Sequence, residues 1–184
     1  MSVTYYEIVV KGDDNLLKGF IRGFELGRSL EGGVWLCADH PIHAGHLKRL
    51  RLHGRHLHAV CTSASRKSVL AAFAKAVETG IEVVFDKKIV RASFEFEFDT
   101  YSREVAASIK KIFNTLPTGL GLLAYEPKET VDKKARGVEL YSPVHEYRFE
   151  GKGRIEGDFE KLLAVHEKLE GIEFAKTGDI RLET

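Results

Sequence analysis

Cysteine is scarce in this chain. Cys37 and Cys61 are the only two in 184 residues, too few for the disulfide framework that holds small exported domains together. Both are expected to be reduced thiols that pack as small apolar side chains. Long hydrophobic runs are also missing. The longest, such as Val69–Ala74, falls far short of the roughly 20 residues that a membrane-spanning helix needs. The N-terminal residues Met1–Tyr5 lead into a strand-like segment without a basic-then-apolar signal pattern. The expectation is therefore a soluble, cytoplasmic protein with no membrane association. An excess of charge of one sign is lacking too: 28 Lys and Arg stand against 27 Asp and Glu, a formal net charge of +1. The chain as a whole thus offers no electrostatic case for binding nucleic acid or acidic lipid, so any such case must rest on a local patch.

What is present is ordinary globular composition, 43% hydrophobic and 30% charged, arranged in alternating strand and helix periods. Thr4–Val10 alternates at period two, and Gly12-Asp13-Asp14 breaks it and supplies a cap for a helix to about Arg28. Val34–Cys37 reads as a short strand, followed by a long polar connection, a strand at His56–Thr62, and a helix capped by Ser65. The inward face of that helix is Val69, Phe73, Ala76 and Val77. Gly80 suits a left-handed helix end, and Ile81–Phe85 closes the series.

The same order then restarts after Asp86-Lys87-Lys88. Phe94, Phe96 and Phe98 alternate with acidic residues, and Tyr101–Leu116 places Val105, Ile109, Ile112, Phe113 and Leu116 on one helical face before Pro117. Strands follow at Leu120–Tyr125 and across Val138–Tyr141 and His145–Ile155, with a charged loop at Glu126–Arg136. Asp158 caps a last helix with Phe159, Leu162, Leu163, His166 and Leu169 facing inward. Ile172–Ala175 and Ile180–Leu182 end the chain as a strand or small hairpin.

Twice over, the order is βαββαβ. This predicts an α+β protein of two ferredoxin-like halves, a tandem duplication in which each half packs two helices on one face of an antiparallel sheet. The halves are expected at residues 1–87 and 88–184, tightly packed because the linker is so short.

The site is expected in the first half. Asp39-His40-Pro41-Ile42-His43-Ala44-Gly45-His46 continues to His53, His56 and His58, so six of the eight histidines fall in one stretch. With Pro41 opening a short helix, His43 and His46 share a face at i, i+3, and Asp39 can add a carboxylate to a divalent metal such as zinc. No His-Glu-x-x-His or paired-cysteine spacing supports the metal. Lys48, Arg49, Arg51 and Arg55 make the same segment basic and suited to phosphate or carboxylate. The candidate ligand-binding residues are His40, His43, His46, Arg49, Arg51, Arg55 and His58, with Asp39, His43 and His46 as the metal set. No catalytic residue is assigned.

Gly19, Gly23 and Gly27 form a stripe on the first helix, read as a surface for close packing or for a flat ligand. The acidic face opposite Phe94, Phe96 and Phe98 repels phosphates, and Arg148 is expected to pair there with Glu95 or Glu97. Gly151-Lys152-Gly153 reads as a bulge or hairpin. With no assembled catalytic motif, the leading reading is a non-catalytic module that binds a small ligand or regulates, and associates as a homo-oligomer. A metal-dependent or histidine-based enzyme centred on segment 39–58 is the alternative, and nucleic-acid or phosphate-ligand binding through 48–55 is the third.

Overall fold

A computed structural model describes residues 3–29, 33–35, 41–43, 46–75, 77, 80–133 and 145–184, with the backbone alone for 23–29, 33–35, 41–43, 132–133 and 145–146. The chain divides into two compact units, Met1–Ile89 with Thr184, and Val90–Glu183. No helix among the described residues is long and apolar enough to cross a membrane.

In the first unit, strand β1 (Tyr5–Lys11) leads into helix α1 (Asp14–Ser29). The Asp13 carboxylate caps this helix by accepting from the backbone N–H groups of Asn15 at 3.0 Å and Leu16 at 3.2 Å. Strands β2 (Gly33–Trp35) and β3 (Pro41–His43) pair with each other as a separate two-stranded sheet. Strands β4 (Leu47–His53) and β5 (His56–Thr62), helix α2 (Ser63–Lys75) and strand β6 (Glu82–Lys88) follow. The main sheet runs β4-β5-β1-β6, antiparallel throughout. This is the ferredoxin-like order, with the first and third strands of the motif at its centre. Ile8 and Val10 from β1, Leu57 and Ala59 from β5 and Leu50 from β4 bury one face of the sheet against Leu17, Phe20, Val69 and Phe73 of the two helices. A bidentate Arg66–Asp86 pair ties α2 to β6, with Arg66 Nε donating to Asp86 at 3.0 Å and the guanidinium lying over the Tyr6 ring.

In the second unit, strand β7 (Arg91–Thr100), helix α3 (Arg103–Asn114), strands β8 (Leu120–Lys133) and β9 (His145–Gly157) and helix α4 (Phe159–Glu170) precede strands β10 (Ala175–Thr177) and β11 (Arg181–Glu183). The sheet order is β10-β7-β9-β8, with β11 also on β7. This is the same topology, its fourth strand supplied in two pieces. Phe94, Phe96 and Phe98 are buried, as are Ile109, Phe113, Ile155, Leu162 and Leu169. Each such aromatic contributes about 1.5–3 kcal/mol by leaving water. The α+β class and the two ferredoxin-like arrangements expected of the sequence are therefore present.

Several local expectations are corrected. The second strand of the first motif is β4, inside the segment read as a connection, and not Val34–Cys37. Pro41–His43 is a strand, so no helical turn there sets His43 beside His46. Helix α2 begins at Ser63. Thr62 Oγ1 accepts from the Ser65 N–H at 3.3 Å, while Ser65 Oγ donates to the His46 carbonyl at 3.0 Å. Val77 is 56% exposed and not inward, and Ala76 lies outside the described residues. A Cβ at Gly19 would meet nothing within 4 Å, so the glycine stripe makes no close approach there. Strand β8 continues past Tyr125 to Lys133 where a loop was expected, and residues 134–144 lie outside the described residues.

Strands β10 and β11 each pair with β7 and not with one another. Gly151 and Gly153 sit in regular register opposite Phe98 and Phe96. A Cβ would fall 2.5 Å from the Phe98 ring at the first position and 2.8 Å from the Phe96 ring at the second, so the missing side chains let the rings lie across the neighbouring strand. The bulge is instead in β8, between Leu123 and Glu126, where Ala124 takes φ 46°.

Candidate anion-binding face

One face of the first main sheet packs on the helices, and strand alternation sends the remaining side chains to the other. Antiparallel register then decides which of them meet. Arg51 stands opposite His58 and His53 opposite His56 across the β4–β5 pair. On the other side of β5, His58 stands opposite Val9 and His56 opposite Lys11 of β1. Directly opposed residues hold their Cβ atoms about 4.5–5.5 Å apart. Lys11, Arg51, His53, His56 and His58 thus gather at the end of the sheet near the β4–β5 turn. Arg49, opposite Val60, extends the set along the edge strand.

Two contacts order the histidines. His58 Nδ1 lies 2.8 Å from Glu7 Oε1, and the His53 and His58 rings meet edge to face with centroids 5.4 Å apart. A carboxylate on one ring nitrogen fixes the imidazole's orientation and leaves the other nitrogen for a further partner. Glu7 and Glu82, the latter opposite Lys11, are the acidic members of the face, so cationic and protonatable groups outnumber carboxylates. Val9, which shares the Arg51–His58 row, is buried, as are Val60 and Tyr5 farther along the face.

The residues expected at a site are only partly united here. Arg49, Arg51 and His58 share this face with Lys11, His53 and His56. Arg55 is exposed in the β4–β5 turn, its carbonyl accepting from the Gly12 N–H at 3.3 Å. His46 precedes β4 at the far end of the strand, roughly 20 Å from His53 at ~3.3 Å per residue. Asp39, His40 and the His43 side chain lie outside the described residues, which leaves His46 as the one member of the metal set with a described side chain. Among the described residues no group of three His, Cys, Asp or Glu is placed to hold a metal ion. Lys11 was missed because nothing in its local sequence marks it; only the β1–β5 register brings it to His56. Cys61 is buried and free, and burial pushes its thiol up to about 11, so it remains protonated and unreactive at neutral pH. Cys37 lies outside the described residues.

The open face of the second sheet differs in character. It was expected to be acidic, but basic residues interleave with its carboxylates. Arg148 pairs with Asp99 through Nε at 3.0 Å and Nη2 at 2.6 Å, and also with Glu150 at 2.9 Å, not with Glu95 or Glu97. Lys176–Glu97, Arg181–Glu95, Lys152–Glu126 and Arg91–Glu156 continue the pattern. Concavities of about 760 and 640 Å³ open on this lattice, but their charges already have partners. His166 is a satisfied interior histidine, with Nε2 at 3.0 Å from the Gly178 carbonyl and its ring edge-on to Phe94.

No family model matches the chain. No curated protein matches it either. Among solved structures it aligns with an unknown protein from Galdieria sulphuraria at 11% identity, covering 100% of both chains with a TM-score of 0.28. It also aligns with the CRISPR-associated protein Cas6e from Escherichia coli K-12 at 11% identity over 94% of this chain and 98% of that one, TM-score 0.29. A third alignment is with the CRISPR endoribonuclease Cse3 bound to a 19-nucleotide RNA, at 13% identity over 96% and 100% of the two chains, TM-score 0.28. Scores this low carry no functional argument.

Proposed function

We propose that the chain is a non-catalytic binding module for a small phosphorylated ligand, held at the β4–β5 turn end of the first main sheet, on the face turned away from its helices. One observation carries this reading: the register of three adjacent strands stacks Arg51–His58 and His53–His56–Lys11 in consecutive rows. A guanidinium fork matches two phosphate oxygens, an ammonium adds a point charge, and imidazoles donate further hydrogen bonds. Glu7 orients His58 and tempers the positive field, which favours a small anion over a long polyanion.

Calorimetric titration with inorganic pyrophosphate tests the proposal. Saturable binding is expected, weakening as salt rises, and lost on Arg51→Glu and on Lys11→Glu while the folded signal by circular dichroism is kept. Binding that is absent at millimolar pyrophosphate, or unchanged in both variants, would refute it. Single-stranded RNA binding far more tightly than pyrophosphate, with a steep logarithmic salt slope, would replace the small ligand by a polynucleotide.

A further inference from the structure

A third concavity, of about 600 Å³, lies in the second unit on the helix side of its sheet. Its origin is in the sequence of α3. Ala106 and Ala107 stand on the flank of the helix turned toward β8 and β9, where larger side chains would fill the space between helix and sheet. Opposite them, the β8 bulge adds one residue between Leu123 and Glu126 and turns Tyr125 inward over Gly151, whose absent Cβ leaves room for the ring. Tyr125 packs edge-on to Phe113 with centroids 5.0 Å apart, and Phe149 of β9 completes an aromatic floor. The volume is that of a small-molecule site, and the aromatic floor is joined by polar and charged residues of the walls.

The polar groups are asymmetric. The helix wall contributes Arg103 and Lys110 and no carboxylate. Arg103 is occupied over the Tyr147 ring at 4.2 Å, whereas Lys110 makes no ion pair among the described residues. On the sheet side Lys128 faces Glu150 at 4.0 Å, and Glu129 repels anions from that rim. Burial raises the Tyr125 hydroxyl above its ordinary range, which keeps it a neutral donor at physiological pH. Its hydroxyl has no hydrogen-bond partner among the described residues.

We infer that this groove is a second ligand site, distinct from the first sheet's anion-binding face, which takes a small aromatic carboxylate with its ring against Phe113, Tyr125 and Phe149 and its carboxylate toward Lys110. Aromatic walls favour a flat ring by edge-to-face and offset contacts, and a single unpaired cation on one wall selects a monoanion. The site does not depend on the phosphate reading, since none of its residues lies in the first unit.

The test is calorimetric titration of the full chain with 2-naphthoate and, separately, with the uncharged 2-naphthalenemethanol. Saturable binding of both is expected, the carboxylate more tightly. Lys110→Gln should weaken naphthoate about fivefold, as for a partly exposed ion pair, and leave the alcohol within about twofold. Ala106→Phe, which fills the groove, should abolish both. Should Ala106→Phe fail to fold, Lys110→Gln still decides, because it keeps most of its side-chain bulk. No saturable binding of either probe, equal loss of both on Lys110→Gln, or loss on Arg51→Glu would overturn the site.

Discussion

Gly157 shows how tightly one position can be fixed by a distant one. Its φ of 143° is a conformation that side chains rarely adopt, and a Cβ there would sit 2.0 Å from the Gly119 carbonyl oxygen. That carbonyl belongs to the turn before β8, which pairs with Gly157 through Leu120 and accepts weakly from the Asp158 N–H at 3.4 Å. Backbone, unlike a flexible side-chain end, cannot step aside. Gly157→Ala is therefore expected to cost roughly 3 kcal/mol, combining backbone strain with the displaced turn. Urea unfolding should show a lower midpoint at an unchanged slope; a loss under about 0.5 kcal/mol would mean that the turn is free to move. Sequence reading did not single out this glycine, whereas it did identify Gly80, whose φ of 87° follows a helix end. The difference is physical. A helix end announces its glycine locally, but the crowding at Gly157 comes from a carbonyl 38 residues away along the chain.

At the level of elements, what the sequence revealed depended on unbroken periodicity. Strand β7 and helices α3 and α4 keep their periods from end to end, and their inward residues were identified almost completely. Strand β4 was taken for a connection because a register shift between Leu47 and Arg49 breaks its alternation, leaving only Leu50 and Leu52 as an apolar pair among charges. Strand β8 was cut short at its own bulge for the same reason. The candidate site suffered most. With β4 read as a loop, Arg49 and Arg51 had no register, and the face they share with Lys11 and His56 could not be seen. Caps were legible unevenly. Asp158, expected as a cap, accepts from the Lys161 N–H at 3.2 Å as the N-cap of α4, whereas Ser102, which accepts from the Val105 N–H at 3.3 Å for α3, lay inside the expected helix. Asp158→Ala should cost about 1 kcal/mol, and Asp158→Asn should retain most of that because its side-chain oxygen still accepts. Equal thermal midpoints for the two variants would show that the cap contributes nothing.

Across the whole molecule the near-zero net charge conceals a division. Thirteen Lys and Arg against nine Asp and Glu give residues 1–89 a formal charge of +4, and fifteen against eighteen give residues 90–184 a charge of −3. The positive part contains the face proposed to bind anions, while in the negative part ion pairs join the charges on the open sheet. One carboxylate among these pairs ties stability to pH. Arg148 holds the Asp99 carboxyl below its ordinary value, chiefly through the two-pronged hydrogen bond. A carboxyl with a depressed folded value binds its proton first in the unfolded chain as pH falls. Its contribution to stability is thus complete above the unfolded value of about 3.9 and disappears as pH falls through the folded one. Because the pair is exposed, salt screens it, and the depression should shrink as ionic strength rises. Carbon-detected NMR titration should place the Asp99 midpoint below 3.8, the reference value, and Arg148→Gln should return it there. With its folded and unfolded values then equal, Asp99 should add no acid dependence, so Arg148→Gln should be less stable than the parent above about pH 4 and converge with it at lower pH. An Asp99 midpoint that stays put in Arg148→Gln would mean that the fork does not hold the carboxylate in solution.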